Sequence, residues 1–295
     1  MPGAKQSAPR KRDLAKDHPC FAEGKPGTKG RVHLPVSQAC NIQCRFCIRS
    51  RNLDENRPGV AAGILAVEDV PATIAKALEL CPEITVVGVA GPGDSLAGPH
   101  ALEAFRVLDA SHPELIKCLS TNGLALPENV QALYDSGVGA LTVTVNAVDP
   151  VIADKIVSHI IYKGELLRGP EAMRILIANQ LAGIRAASEL GIAVKINTVL
   201  IPGVNDAHIE DIAKAVSEAG ASKHNIIALI PQHEFADTPE PTCEQLDLAR
   251  IQAGKYLTPF RHCQHCRADA AGVPGVSDFA GELYSGRSLE TFSHG

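Results

Sequence analysis

Three thiols fall within eight residues of the chain, Cys40, Cys44 and Cys47, in the stretch Cys40-Asn41-Ile42-Gln43-Cys44-Arg45-Phe46-Cys47. The spacing Cys-x-x-x-Cys-x-x-Cys lets one short loop turn three thiolates, the form of cysteine that binds metal, onto three irons of a 4Fe–4S cube. The fourth iron then receives no cysteine from the loop and stays open to a substrate or cofactor. Structural zinc more often takes four ligands from paired Cys-x-x-Cys units, so a lone triplet speaks against it.

A second stretch with metal-binding chemistry is His262-Cys263-Gln264-His265-Cys266-Arg267-Ala268-Asp269-Ala270. Cys-x-x-Cys alone is ambiguous among redox pairs, zinc and iron–sulfur sites. This one follows a helical pattern instead of opening a helix, which weakens the redox-pair reading, and beside the triplet a second iron–sulfur site is the economical one. The chain has nine cysteines in all, and without a secretory signal they read as metal ligands before disulfides. Cys20 lies in His18-Pro19-Cys20-Phe21, ahead of the Gly- and Lys-rich loop from Gly24 to Gly30. Cys81 closes one helical pattern and Cys243 opens another, so both read as packing residues.

A loop of this kind needs a scaffold. Apolar alternation places strands at 31–38, 84–90, 115–120, 140–146, 192–200 and 225–230. Between them, Val70, Ile74 and Leu78, then Leu102, Phe105 and Leu108, repeat at helical spacing. A third helix runs from Pro127 to before Gly137. Ile177, Leu181 and Ile184 mark a longer one ending before Gly191. Ile209, Ile212 and Val216 follow an Asn205-Asp206 cap, and Thr242 with Gln245 forms a capping box for the last helix. Six strands each followed by a helix imply an α/β fold with a parallel sheet and right-handed crossovers, a partial (β/α)6 TIM-like barrel. There is no Trp and only 4% aromatic residues, so the core is built from Ala, Val, Ile and Leu, which suits strands buried on both faces. The organisation expected is a mobile basic arm over 1–16, a barrel over 17–260 and a cysteine-bearing tail over 261–295.

In such a barrel chemistry gathers at the C-terminal ends of the strands. Those ends read Cys40–Cys47, Gly91-Pro92-Gly93-Asp94, Ser120-Thr121-Asn122-Gly123, Asn146, Asn197-Thr198 and Pro231-Gln232-His233-Glu234. Small polar residues also end strands simply because they make turns. Six such ends in succession, starting from the triplet, favour a ligand-lined rim.

With 295 residues, 45% hydrophobic and 21% charged, the composition is that of a soluble globular protein. A formal charge of −5 gives no support for nucleic-acid binding. No apolar run has the length to span a bilayer and no signal-peptide pattern opens the chain, so a cytoplasmic location is expected.

The triplet placed after a first strand resembles the signature of the radical S-adenosylmethionine (SAM) enzymes, in which the open iron chelates the methionine part of SAM. That resemblance implies a 4Fe–4S cluster on Cys40, Cys44 and Cys47. It places Gly91, Gly93 and Asp94 where the family carries a Gly-Gly-Glu-like turn to the SAM amino group. The turn departs from that pattern but keeps glycines and a carboxylate, so Asp94 is the expected acceptor for the ammonium. Thr121, Asn122, Asn146, Asn197 and Thr198 become candidates for the rest of SAM.

A narrower resemblance rests on four segments: His18-Pro19-Cys20, the run from Arg31 to Cys47, Asn56-Arg57-Pro58-Gly59-Val60, and Cys266-Arg267-Ala268-Asp269-Ala270. Together they resemble the NifB family of nitrogenase cofactor-maturation proteins, in its shorter form without a NifX-like domain. The family implies two further 4Fe–4S clusters, held as substrates. Cys20, His33 and Cys118 match the ligands of one, and Cys263 with Cys266 those of the other. His33 has an ordinary alternative as a strand histidine, and Pro35 two residues on puts its strand at an edge or near a bulge. Glu55 is a candidate catalytic group. It is also one of three ways, with Cys243 or an exogenous thiol or sulfide, to complete the second ligand set. The implied reaction uses SAM twice, once to methylate a cluster sulfide and once to generate a 5′-deoxyadenosyl radical, and ends in an eight-iron, carbide-containing precursor. Implied partners are the scaffold and carrier proteins NifEN and NifX, the cluster donor NifU and a low-potential electron donor. Two alternatives stay open: another radical SAM enzyme with auxiliary clusters, and a non-enzymatic iron–sulfur scaffold.

Overall fold

The computed structural model describes residues 14–22 and 28–284. The expected mobile arm lies outside the described residues as far as residue 13, as do residues 23–27, which open the Gly24–Gly30 loop, and the tail beyond 284. Residues 14–16, assigned to the arm, belong instead to a helical turn, Leu14–Asp17. Its end is tied to the sheet, where the Thr85 hydroxyl donates to the Asp17 carbonyl at 2.7 Å.

Six parallel strands form the centre of an eight-stranded sheet, β1 Gly30–His33, β2 Ile84–Val89, β3 Ile116–Thr121, β4 Val138–Thr144, β5 Ala193–Leu200 and β6 Lys223–Ala228, with the short strand Thr258–Pro259 added parallel to β6. Each pairs with the next in chain order, as a barrel built from successive strand–helix units requires. The helices are α1 Val70–Leu80, α2 His100–Ser111, α3 Leu126–Asp135, α4 Pro150–Ile156, α5 Gly169–Glu189, α6 Ile209–Glu218 and α7 Cys243–Ala253. Their expected apolar faces are buried: Val70 and Ile74 on α1, Phe105 and Leu108 on α2, Ile212 and Val216 on α6. Strand alternation does the rest. Val32, Val87, Leu119, Leu141 and Ile196 pack under the helices, while His33, Gly88, Cys118, Thr142, Lys195 and Asn225 line a cavity on the other face.

Three local expectations change. The Thr242–Gln245 capping box is present, but Asn205 does not cap α6. Its buried amide accepts from the Ile201 N–H at 2.8 Å and donates to the carbonyls of Asn146 and Val199, both at 2.9 Å, bracing the β5 end instead. Cys81 is buried in the core as expected, whereas Cys243, in the first turn of α7, is exposed. β1 ends the parallel run but is not bare. The tail strand Ala271–Gly272 covers it in antiparallel register, and its irregularity falls between Gly30 and Arg31, not near Pro35.

The β4–β5 connection holds elements that periodicity did not announce. After α4 the chain makes a hairpin, Val157–Tyr162 with Glu165–Leu167, turning at Lys163-Gly164, both left-handed. The first hairpin strand pairs antiparallel with Ile42–Cys44. A small sheet outside the barrel thus carries the middle of the cysteine triplet, and a second core of Ile42, Leu124, Ile156, Ile160, Met173 and Leu176 supports it, with Cys40, Cys44 and Phe46 packed against that core.

Candidate active site

The stem of the cysteine loop is held by the β2 end. The Gly93 N–H donates to the Ser37 carbonyl and the Asp94 N–H to the Ala39 carbonyl, both at 2.8 Å. A Cβ on Gly93 would lie 2.0 Å from the Ala39 oxygen and 2.7 Å from that of Gln38. The glycine therefore admits the backbone that leads into Cys40. Gly91, two residues earlier, is left-handed and would meet Ala268 of the tail. Gly93→Ala is expected to displace Cys40 and remove most of the iron bound by the triplet, read as lost EPR intensity after anaerobic reconstitution. A wild-type spectrum would refute this role.

Asp94 is buried and its carboxylate is already engaged. It accepts from the Leu96 N–H at 2.9 Å, the Thr121 hydroxyl at 3.1 Å and the Asn122 N–H at 2.5 Å. Burial raises its pKa, and these hydrogen bonds oppose the rise. Asp94 thus ties the β2 end to the β3 end as well as bordering the cavity. Asn122 carries the tie onward, its Nδ2 donating to Asn41 Oδ1 at 2.7 Å and lying 3.8 Å from Cys40 Sγ. Asn146 and Asn197 also line the cavity, Asn146 accepting from the Val199 N–H and Asn197 from the Asn225 amide. Thr198 does not reach it. Strand parity turns Thr198 to the outer face of β5, where its hydroxyl donates to the Val145 carbonyl and meets His224 Nε2 at 2.8 Å.

Cys40, Cys44 and Cys47 are half-buried and line the same cavity. Burial pushes the Cys40 thiol up to about 11, and Asp94 adds to the rise. Cys44 is raised further, by burial and then by its neighbours Cys47 and Cys40. Burial raises Cys47 too, with Arg49 and Arg57 pulling it back. Three thiols that repel one another as thiolates call for a cation among them. Among the described residues no three His, Cys, Asp or Glu side chains gather tightly enough for a single metal ion. A cube takes one ligand per iron and so spaces its ligands more widely than a single ion does. Arg49 borders the cavity, whereas Arg45 is paired with Glu234 and Arg57 with Glu55.

Deeper in the barrel, β1 and β3 bring His33 and Cys118 together across Gly88. A Cβ there would lie 3.0 Å from His33 Cδ2 and 3.1 Å from Cys118 Sγ, so only glycine leaves the space between them open. His33 Nδ1 lies 3.0 Å from the Arg267 carbonyl. A carbonyl only accepts, so Nδ1 carries the hydrogen and Nε2 keeps its lone pair for a ligand. Burial, followed by the Arg31 charge, lowers the His33 pKa to about 4, which keeps the ring neutral. Burial, then Cys20, pushes Cys118 up to about 12, so Cys20 stands within electrostatic reach. His18 has the opposite tautomer: its Nδ1 accepts from the Cys20 N–H at 3.1 Å, placing the hydrogen on Nε2.

The tail brings Cys263 and Cys266 to the rim of this cavity. Arg31 reaches Cys266 Sγ at 3.2 Å and the Gly272 carbonyl at 2.8 Å. Arg267 and Asp269 form a buried ion pair at 2.8 Å. Arg267 also donates to the carbonyls of Asn52 and Glu55, and Asp269 accepts from the Ala62 N–H. Glu55 itself stays outside the cavity. Burial raises its pKa, but hydrogen bonds from Asn52 and Arg57 bring it below the ordinary carboxylate value, and both its oxygens are engaged. Lys195 was not singled out in the sequence, and Arg31, Arg267 and Asp269 were read there only as part of motifs. The inward parity of Lys195 with Asn197 on one strand was the available signal for the first.

All three thiol groups open on one cavity of about 360 Å³. That volume falls within the roughly 300–1,000 Å³ of common ligand pockets. Residues 34–216 match the family model described as the radical SAM superfamily. The chain is 44% identical over 279 residues to the FeMo cofactor biosynthesis protein NifB of Methanocaldococcus infernus, covering 94% of this chain and 92% of that protein. It is 46% identical over 290 residues to the protein of the same name from Methanocaldococcus jannaschii, covering 95% and 96%. The protein of that name from Klebsiella pneumoniae is 41% identical, covering 89% of this chain and 58% of that one. Among solved structures, a radical SAM methyltransferase from Sphaerobacter thermophilus superposes with a TM-score of 0.53 at 20% identity, over 78% of this chain and 64% of that one, a likeness of fold.

Proposed function

Because the chain belongs to the NifB family within the radical SAM superfamily, we propose that it is a radical SAM enzyme of nitrogenase cofactor biosynthesis. Its product on this reading is an eight-iron, carbide-containing precursor made by methylating and joining two 4Fe–4S clusters. A 4Fe–4S cluster on Cys40, Cys44 and Cys47, with SAM at its open iron, would supply reductive cleavage of SAM to a 5′-deoxyadenosyl radical. The substrates are two further clusters, one taken by Cys20, His33 and Cys118, the other by Cys263 and Cys266. The observation that carries the reading is the single cavity onto which all three groups open.

Within it the chain's own residues divide the work. Asp94 and Asn122 hold the triplet loop, and Asn146 and Asn197 present amides to SAM. The Arg267 carbonyl fixes the His33 tautomer, so that a neutral nitrogen, more readily displaced than a thiolate, faces a cluster that must leave. NifEN and NifX as acceptors, NifU as cluster donor and a low-potential electron donor complete the proposal. No helix among the described residues is long and apolar enough to cross a membrane.

The test is chemical. The reduced, reconstituted protein incubated with SAM is expected to form both 5′-deoxyadenosine and S-adenosylhomocysteine. Deoxyadenosine alone would point to another radical SAM reaction, and neither product to a scaffold.

A further inference from the structure

Lys195 carries a charge that nothing around it answers. It lies on the inward face of β5, 5% exposed, and borders the cavity. Its ammonium stands 5.0 Å from the Phe260 ring centre and 5.8 Å from that of Phe21. Among the described residues it has no hydrogen bond or ion pair. Ring faces attract a cation but offer no strong acceptor, and a buried ammonium without an anion is costly to keep. The groups within its electrostatic reach are His18, His33 and Cys118.

His18 adds a second unanswered donor. Its Nδ1 is taken by the Cys20 N–H, and the hydrogen on its buried Nε2 has no acceptor among the described residues. Around Cys20, His33 and Cys118 the chain therefore supplies one bare nitrogen, two thiols and two donors lacking acceptors. Sulfides on the face of an iron–sulfur cube are acceptors of the kind such donors lack.

We propose that Lys195 is a binding residue for the cluster held by Cys20, His33 and Cys118, its ammonium donating to a cluster sulfide, with His18 Nε2–H as a second donor. This rests on the two-substrate-cluster reading above. Reduction adds negative charge to the cluster, and an adjacent ammonium favours the reduced form. Lys195 thus sets how easily this cluster is reduced as well as how firmly it is held.

The experiment compares the full chain, Lys195→Met and Lys195→Arg, each reconstituted anaerobically with ferrous iron and sulfide and titrated reductively with EPR detection. Cys118→Ala and His33→Ala identify the signal of this cluster, the second through loss of a nitrogen coupling. In Lys195→Met that signal is expected to appear at a more negative potential, with iron lost to a chelator about 10- to 100-fold faster. The triplet signal should be unchanged, and Lys195→Arg should stay near wild type. A purely structural clamp on Phe21 and Phe260 would release iron without moving the potential. An unchanged potential in Lys195→Met, or an equal shift in Lys195→Arg, overturns the proposal. Should Lys195→Met not fold, Lys195→Gln decides by the same readout. If neither Cys118→Ala nor His33→Ala removes a signal from the wild-type spectrum, the two-substrate-cluster reading fails and this proposal falls with it.

Discussion

Cys44→Ala is expected to reduce 5′-deoxyadenosine formation to background while iron persists at the other sites. The loss should be chemical and not a matter of folding. Cys44 ends a strand whose main chain pairs with the hairpin, and its carbonyl accepts from the Cys47 N–H at 3.0 Å, bonds that alanine keeps. What disappears is the middle thiol of the triplet, and the remaining pair cannot hold three irons. Cys20, Cys118, Cys263 and Cys266 lie on other segments and keep their own surroundings. Product analysis beside iron content decides it: a wild-type rate of deoxyadenosine formation would remove the triplet from the mechanism.

Asp269→Ala should destabilise the protein by about 3–5 kcal/mol, the usual cost of leaving a buried charge without its partner. Asp269 is 1% exposed, its two oxygens hold Arg267, and one also takes the Ala62 N–H. Removing it strands the guanidinium and an amide together. At roughly 2–4 °C per kcal/mol for larger domains, the melting temperature should fall by about 6–20 °C. The double variant Arg267→Met with Asp269→Leu should recover much of the loss, because no charge is then left unpaired. A shift within experimental scatter for Asp269→Ala would show that the pair does not anchor the tail.

The six strands and most helix faces were legible because burial on one face imposes a period that survives in the residues themselves. The triplet was legible because three ligands on one loop need only local spacing. The hairpin at 157–167 was not: Val157–Tyr162 follows directly on α4, with no turn residue between to mark the change of period. Asp94 was read as a ligand for SAM because its place in the strand order suggested it. That its oxygens would be taken by Leu96, Thr121 and Asn122 depends on two strand ends meeting, which spacing does not encode. Thr198 failed by a single step of parity, since adjacent residues of a strand face opposite sides. Lys195 escaped notice, and Arg267 and Asp269 were read only as part of a motif, because a charged residue in a sequence reads as solvated until burial is known.

The bond from His33 to the Arg267 carbonyl spans 234 residues of chain, and it gives the two ends of the site different birthdays on the ribosome. At about 5–20 residues per second, Arg267 is added roughly 10–50 s after His33. By then β1, β2, β3 and the hairpin that carries Cys44 have all been synthesised. The triplet loop therefore has its supports in place while the imidazole of His33 is still free to turn and to carry its hydrogen on either nitrogen. Arrival of the tail ends that freedom and brings Cys263 and Cys266 in the same movement. On the function proposed above, the segments of the radical-forming centre leave the ribosome first, and those that complete the bed for its substrates leave last.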